Sequence, residues 1–361
     1  MKRRALRSIS LLSLTFSAVA ATAGTYSITD LGTLGGSFQF SYAFGLNNSG
    51  QVTGLTSFGG GGGGGRAYRY SGGTMSNLGN YGGGTTYGYG INDSGTVVGY
   101  GNTSNVNGQQ RALVFSGGTV TNFSSSAGTA KAISNAGTIT GAGTNGAYAY
   151  YGGAMHWLGT LPGGTAAGEG LGINESGTIV GYSKNSAGKL HAFVYSGGAM
   201  TDLGSIGGVN AESRAVGINE SGVIVGNSET SAVTHAVGAF YYSGGSMHTL
   251  GELGAGLGTY ASAINDSGKM VGYGGVVSGG QRAIIWNGTT AFDLNTMLGA
   301  TPTGWVLSQA YGINNSGQIT GMGTINGQTH AFLMTPNVVP EPGTWMALGL
   351  GATALLRRRR K

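Results

Sequence analysis

One ten-residue motif, small-Ile-Asn-x-Ser-Gly-x-Val-Val-Gly, recurs seven times along the chain, and it limits the fold more than any other feature. It reads GLNNSGQVTG from Gly45, GINDSGTVVG from Gly90, AISNAGTITG from Ala132 and GINESGTIVG from Gly172. It returns as GINESGVIVG from Gly217, AINDSGKMVG from Ala263 and GINNSGQITG from Gly312, so copies lie 40 to 49 residues apart. A period of this size belongs to repeat architectures, in which one unit cannot bury its apolar face alone. A second segment follows each copy: RAYRY at Arg66, RALVF at Arg111, GAYAY at Gly146, HAFVY at His191, GAFYY at Gly238, RAIIW at Arg282 and HAFLM at His330. Most continue into Ser-Gly-Gly and then a segment such as TMSNLG or AMTDLG.

Each unit reads as four short strands. AxGIN is the first, and Asn-x-Ser-Gly is a tight turn, because Asn bonds its own backbone two residues on and Gly takes positive φ. TVVGY is the second strand. RALVF is the third, apolar on both faces. Gly-Gly suits a two-residue hairpin, and TMSNLG is the fourth strand. Four antiparallel strands per repeat is the content of a propeller blade. The segment TYSITDLGTLGG from Thr25 is a lone fourth strand, and HAFLM at the other end is a third strand without one. The expected fold is therefore all-β, a seven-bladed β-propeller closed by the N-terminal strand. An open β-solenoid is the alternative, but it has no use for that offset. Expected domains are a signal peptide (1–23), the repeat body (24–336) and a C-terminal segment (337–361).

In such a blade the Asn-x-Ser-Gly and Ser-Gly-Gly turns share one face. The second-to-third and interblade loops share the other, where length and content vary, as in the poly-Gly run Gly59 to Gly65. Variable loops on a rigid scaffold are where binding concentrates, which makes Tyr81, Tyr87, Glu212, Arg214, Tyr260 and Trp305 candidate contacts. Arg66, Arg111, His191, Arg282 and His330 stand at the same strand entrance in five blades. They either line a carbohydrate or anion site or hydrogen-bond the adjoining loop, and Gly146 and Gly238 interrupt the set. The acids after the turn Asn (Asp93, Asp266) suggest calcium. One acid per turn is far from the six to eight oxygens calcium takes, so a structural turn is favoured.

Charge narrows the partners. The chain has 18 Lys and Arg against 12 Asp and Glu, but nine of the cations lie in the two ends. The body keeps nine cations and eleven acids, a net charge of −2. Nucleic-acid binding requires clustered cations, so no nucleic acid is expected. There is no Cys, hence no disulfide or thiolate site. No HExxH, GxSxG or phosphate-loop motif stands in a suitable setting, so no metal, cofactor or catalytic residue is assigned and no enzyme is expected. Paired carboxylates for sugar hydrolysis stay open, since Glu169, Glu212 and Glu229 can converge on one face.

The ends carry addresses. Met1 to Ala23 has a basic start, an apolar run from Ile9 to Ala20 and a small-residue cleavage pattern, so cleavage between Ala23 and Gly24 is expected after Sec export. Arg3-Arg4 lacks the rest of a twin-arginine pattern. The other end holds Val339-Pro340-Glu341-Pro342, an uncharged stretch from Gly343 to Leu356, and Arg357, Arg358, Arg359, Arg360 and Lys361. As a helix that stretch spans about 21 Å, short of the roughly 30 Å of bilayer hydrocarbon. A short transmembrane helix with its basic cluster inside is expected.

This tail resembles the PEP-CTERM sorting signal of Gram-negative bacteria. The resemblance implies processing by exosortase, transient anchoring in the inner membrane, then a cell-surface or extracellular location tied to exopolysaccharide and biofilm. Signal peptidase and exosortase are the implied processing partners. The HAF segments resemble the extracellular HAF-repeat proteins, which implies a location and a repeat architecture. A monomeric, non-catalytic surface module is the expectation, with a secreted glycosidase or lyase as the alternative.

Overall fold

Adjacent repeats pack face to face and enclose seven apolar clusters, one between each pair of neighbouring blades. The computed structural model describes residues 26–35, 39–59, 64–103, 108–254, 256–299 and 304–337. The expected signal peptide and its cleavage site, the Val339 to Pro342 motif, the apolar helix and the Arg357 to Arg360 cluster lie outside them. Seven antiparallel four-stranded sheets make a seven-bladed propeller. Blades 1 to 6 cover residues 41–77, 86–122, 128–157, 168–204, 213–249 and 259–293. Blade 7 joins Val306–Ile313, Ile319–Ile325 and Gln328–Pro336 to the N-terminal strand Tyr26–Asp30.

That N-terminal strand pairs antiparallel with the last one, Tyr26 opposite Pro336 and Asp30 opposite Phe332. Leu31, 4% exposed, follows it into the cluster between blades 7 and 1, beside Ala331, Leu333, Ala43 and Tyr68. Both ends of the ring therefore meet in one blade, as the offset start required.

The repeated residues have separate tasks. In the turns, Asn219 Oδ1 accepts the Val223 N–H, and its Nδ2 donates across to Asn265 O in the next blade. Asn47, Asn92, Asn174, Asn265 and Asn314 bridge to the following blade in the same way, Asn314 closing back onto Asn47 O. The neighbouring position forms a complete second ring. The N–H groups of Asn48, Asp93, Asn135, Glu175, Glu220, Asp266 and Asn315 each donate to the side-chain oxygen of the next member. The acids that suggested calcium are these acceptors. Among the described residues no group of three or more His, Asp or Glu is placed to hold a metal ion.

A buried amide with three such bonds is expensive to lose. Asn219→Ala is expected to lower stability by about 2–3 kcal/mol, measured by chemical denaturation. Burial alone would raise the Asp93 carboxyl, but the Asn48 backbone N–H and the Asn135 and Asn48 side-chain amides outweigh it and hold the group below its ordinary value. A depressed folded-state value gives stability that is present above the unfolded value near 4 and lost as pH falls through the folded one. Asp93→Asn should therefore flatten the loss of thermal stability below about pH 4. An unchanged acid limb in a melting-temperature profile would count against this.

The second-strand glycine (Gly54, Gly99, Gly141, Gly181, Gly226, Gly272, Gly321) has a steric reason. A Cβ on any of them would collide with a first-strand carbonyl oxygen, that of Glu169 in the case of Gly181. The close approach accompanies a β-bulge in every first strand, between Ala43 and Gly45 in blade 1 and between Gly170 and Gly172 in blade 4. Gly181→Ala has no flexible neighbour to displace and is expected to cost about 3 kcal/mol or more, read as lost soluble yield or a lowered melting temperature.

Candidate functional site at the channel mouth

The first strands surround the axis, and the bulge decides what they show it. One extra residue per strand is re-aimed: Phe44, Tyr89, Lys131, Leu171, Val216, Ser262 and Tyr311, all of which line the channel or its mouth. Below them Leu46, Ile91, Ile133, Ile173, Ile218, Ile264 and Ile313 form an aliphatic collar, and beyond the collar lies the Asn-turn mouth. Above them, toward the loop face, the first strands carry Tyr42, Tyr87, Thr129, Glu169, Arg214, Tyr260 and Gln309. The loop-face mouth is thus built from positions that vary inside an otherwise uniform strand.

These side chains divide into two arcs. Tyr42, Phe44, Tyr89, Tyr87 and Tyr100 form a continuous series, with Phe44 and Tyr89 stacked at 5.0 Å and Tyr87 and Tyr100 at 4.6 Å. Phe44 meets Tyr311 edge-on at 5.6 Å, Tyr311 meets Tyr273, and Tyr273 stacks on Tyr260 at 5.0 Å. Aromatic rings therefore run through blades 6, 7, 1 and 2. Blades 3 to 5 complete the circle with charge. Lys131 Nζ lies 3.8 Å from the Tyr89 ring centroid and 3.9 Å from Glu169 Oε1. Glu169 accepts from the Thr129 hydroxyl at 2.7 Å and from the Tyr182 hydroxyl at 3.2 Å. The Arg214 guanidinium sits over the Tyr182 ring at 5.1 Å and 3.7 Å from Glu212.

Burial lowers the Lys131 ammonium below the usual lysine range, and Glu169 opposes this. The Tyr182 hydroxyl is pushed up to about 12, first by burial and then by Glu169. Between blades 4, 5 and 6 a cleft of about 540 Å³ holds Glu169, Tyr182, Glu212, Arg214, Glu229 and Tyr260. In it Glu229 accepts the Glu212 N–H at 2.8 Å and meets His235 at 2.6 Å. Burial would raise the Glu229 carboxyl, but these two contacts hold it below its ordinary value.

Among the loop-face candidates the structure thus brings together Glu212, Arg214 and Tyr260 in the cleft, with Tyr87 in the aromatic arc. Tyr81 lies in the loop between blades 1 and 2, where its hydroxyl accepts from Asn122. Trp305 is a correction. It is 8% exposed and packs edge-on against Phe332 in the blade 7 core, so it presents no surface to a ligand.

The five third-strand Arg and His side chains stand away from the channel lining, each turned to its own blade or loop. His330 Nδ1 meets the Asp30 carboxylate at 2.9 Å, His191 meets Asp202 at 3.0 Å, and Arg282 lies 3.9 Å from Asp293. Arg66 donates to the carbonyls of Gly64, Gly65 and Gly84, and Arg111 to Gln109. The three acids occupy one fourth-strand position. Blades 1 and 2 have Asn77 and Asn122 there, whereas the blades whose third strand begins with Gly146 or Gly238 have Trp157 and Thr249. In blades 4, 6 and 7 the third-strand side chain meets a fourth-strand acid, whereas Arg66 and Arg111 bond loop groups.

Lys131, Tyr89, Tyr100, Tyr182, Tyr273, Tyr311 and Phe44 were not singled out by the sequence reading. The signal was the pair of variable positions flanking the small residue before each Gly-Ile-Asn-like segment, YAFGLN, YGYGIN, TAKAIS, EGLGIN and RAVGIN among them.

Two solved structures show how far the likeness to known proteins extends. A gluconolactonase from Xanthomonas campestris is 11% identical, with a TM-score of 0.40 over 90% of this chain and 94% of its own. A six-bladed fucose-recognising lectin from Aleuria aurantia is 13% identical, with a TM-score of 0.36 over 88% and 98%. At these values neither likeness bears on blade number or chemistry. No curated protein matches the chain in sequence. Residues 338–361 match the PEP-CTERM protein-sorting motif, which implies that the chain is exported, processed by exosortase and sorted to the cell surface.

Proposed function

We propose that this is a surface or matrix protein of the HAF-repeat type, a non-catalytic module that binds exopolysaccharide through the loop-face mouth of its channel and contributes to biofilm. The observation that carries this reading is the aromatic arc facing ion-paired Glu169, Arg214 and Glu212. Tyrosine rings offer flat apolar faces to sugar C–H groups, and fixed carboxylates and cations select hydroxyl patterns. The short apolar tail and Arg357 to Arg360 supply a passing stage in the inner membrane, and the exported ring works as a monomer. Calorimetric titration of the exported protein with polysaccharide extracted from its own matrix should show saturable binding. Absence of binding, together with an unchanged biofilm on deletion of the gene, would remove the reading.

A carbohydrate-active enzyme is the second reading. Glu169, Glu212 and Glu229 lining one cleft favours it, since glycoside cleavage uses two carboxylates about 5–10 Å apart. It predicts new reducing ends from the polysaccharide, abolished by Glu169→Gln.

A further inference from the structure

Lys131 is an unusual residue to find on the axis of this ring. Lysines ordinarily run their heads out to water, but the bulge in blade 3 carries this one into the channel, among Phe44, Tyr89 and Tyr311. Its ammonium has two aromatic neighbours, Tyr89 at 3.8 Å and Tyr100 at 5.6 Å. Its single carboxylate contact is Glu169 at 3.9 Å, too long for a hydrogen bond. Both Glu169 oxygens are already engaged by the hydroxyls of Thr129 and Tyr182. Among the described residues none accepts a hydrogen bond from Lys131 Nζ. Its three N–H donors are therefore available to water or to a ligand's oxygen atoms, because the side chain is 19% exposed and lines the channel.

The space around it has a definite size and sign. Below the level of Glu169 lies an axial well of about 240 Å³, lined at its base by the aliphatic collar. Lys131 is the one charged group in its lining, and Ser262 and the Tyr89 and Tyr311 hydroxyls are the other polar side chains. Of the rim acids above, Glu212 is paired with Arg214, while Glu229 accepts the Glu212 N–H and meets the His235 ring. The Arg214 pair limits the repulsion of an entering anion, and salt screens the remainder.

We propose that the axial well is an anion subsite, in which Lys131 takes the carboxylate or sulfate of an acidic sugar residue. The proposal rests on the glycan-binding reading above and narrows it to acidic polysaccharides.

The test is calorimetric titration of the exported protein with three probes of equal length: an oligogalacturonate, a sulfated oligosaccharide and a neutral oligosaccharide. The wild-type protein should prefer at least one anionic probe to the neutral one by about tenfold or more. Lys131→Met should remove that preference, bringing the ratio of acidic to neutral affinity to about one. Glu169→Gln should strengthen acidic binding several-fold by removing the competing carboxylate, a gain that a purely structural ion pair would not give. Carboxylate and sulfate arms of equal strength, both lost in Lys131→Met, support the subsite and leave it indifferent to the kind of anion. Acidic binding unchanged in a folded Lys131→Met overturns the subsite while the glycan-binding reading stands. Failure of the wild-type protein to bind any of the probes or the extracted matrix polysaccharide overturns both.

Discussion

Removing residues 24–32 is expected to lower the melting temperature by more than about 10 °C, or to prevent accumulation of soluble protein. The segment provides the whole fourth strand of blade 7, and its loss leaves the last strand as an open edge opposite Tyr26 to Asp30. It also withdraws Leu31 from the cluster between blades 7 and 1 and leaves His330 without its Asp30 partner. Deletion of a buried leucine costs about 2–5 kcal/mol by itself. A single substitution, Leu31→Asp, should reproduce much of the loss. If the ring melted unchanged without this strand, closure by the N-terminal segment would be wrong. Restoration by a synthetic peptide spanning residues 24–35 would show that strand pairing, rather than chain length, is responsible.

The second large effect concerns the mouth. Tyr89→Ala combined with Tyr311→Ala is expected to weaken polysaccharide binding by about 30- to 100-fold. This corresponds to about 1–1.5 kcal/mol for each stacking surface lost. Both residues are half-buried bulge positions facing the channel that also pack on Phe44. A modest fall in melting temperature is therefore expected, and binding is compared where both proteins are folded. A matched control, Tyr151→Ala, removes a half-exposed ring that stacks on His156 at the outer edge of blade 3. It should leave binding unchanged. Equal losses from the outer-edge and mouth substitutions would place the ligand elsewhere.

The fold was legible because its determinants recur in nearly every copy. The turn Asn, the second-strand Gly and the buried Ala-Phe pairs such as Ala192-Phe193 answer constraints that every blade shares, and repetition makes them visible. The site was harder to see for the same reason, since it occupies the positions that repetition does not protect. Strict alternation assigns residues of a strand to faces, but a bulge resets the alternation at Phe44, Lys131 and their equivalents. Which variable side chains reach the axis could not be counted off the sequence. The interblade loops drew attention instead, and they yielded Glu212 together with the buried Trp305. The Arg and His residues before Ala-Phe were conspicuous for their recurrence, yet each has a local partner, Asp202 for His191, Asp30 for His330 and loop carbonyls for Arg66.

The central claim is that ligand occupies the loop-face mouth of the channel, and hydroxyl-radical footprinting of tyrosines tests it most directly. With saturating polysaccharide, protection is predicted at Tyr89, Tyr182, Tyr273 and Tyr311, with Tyr151 and Tyr195 on the outer strands oxidised as in the free protein. Protection confined to Tyr151 and Tyr195, with the mouth tyrosines unaffected, would contradict it.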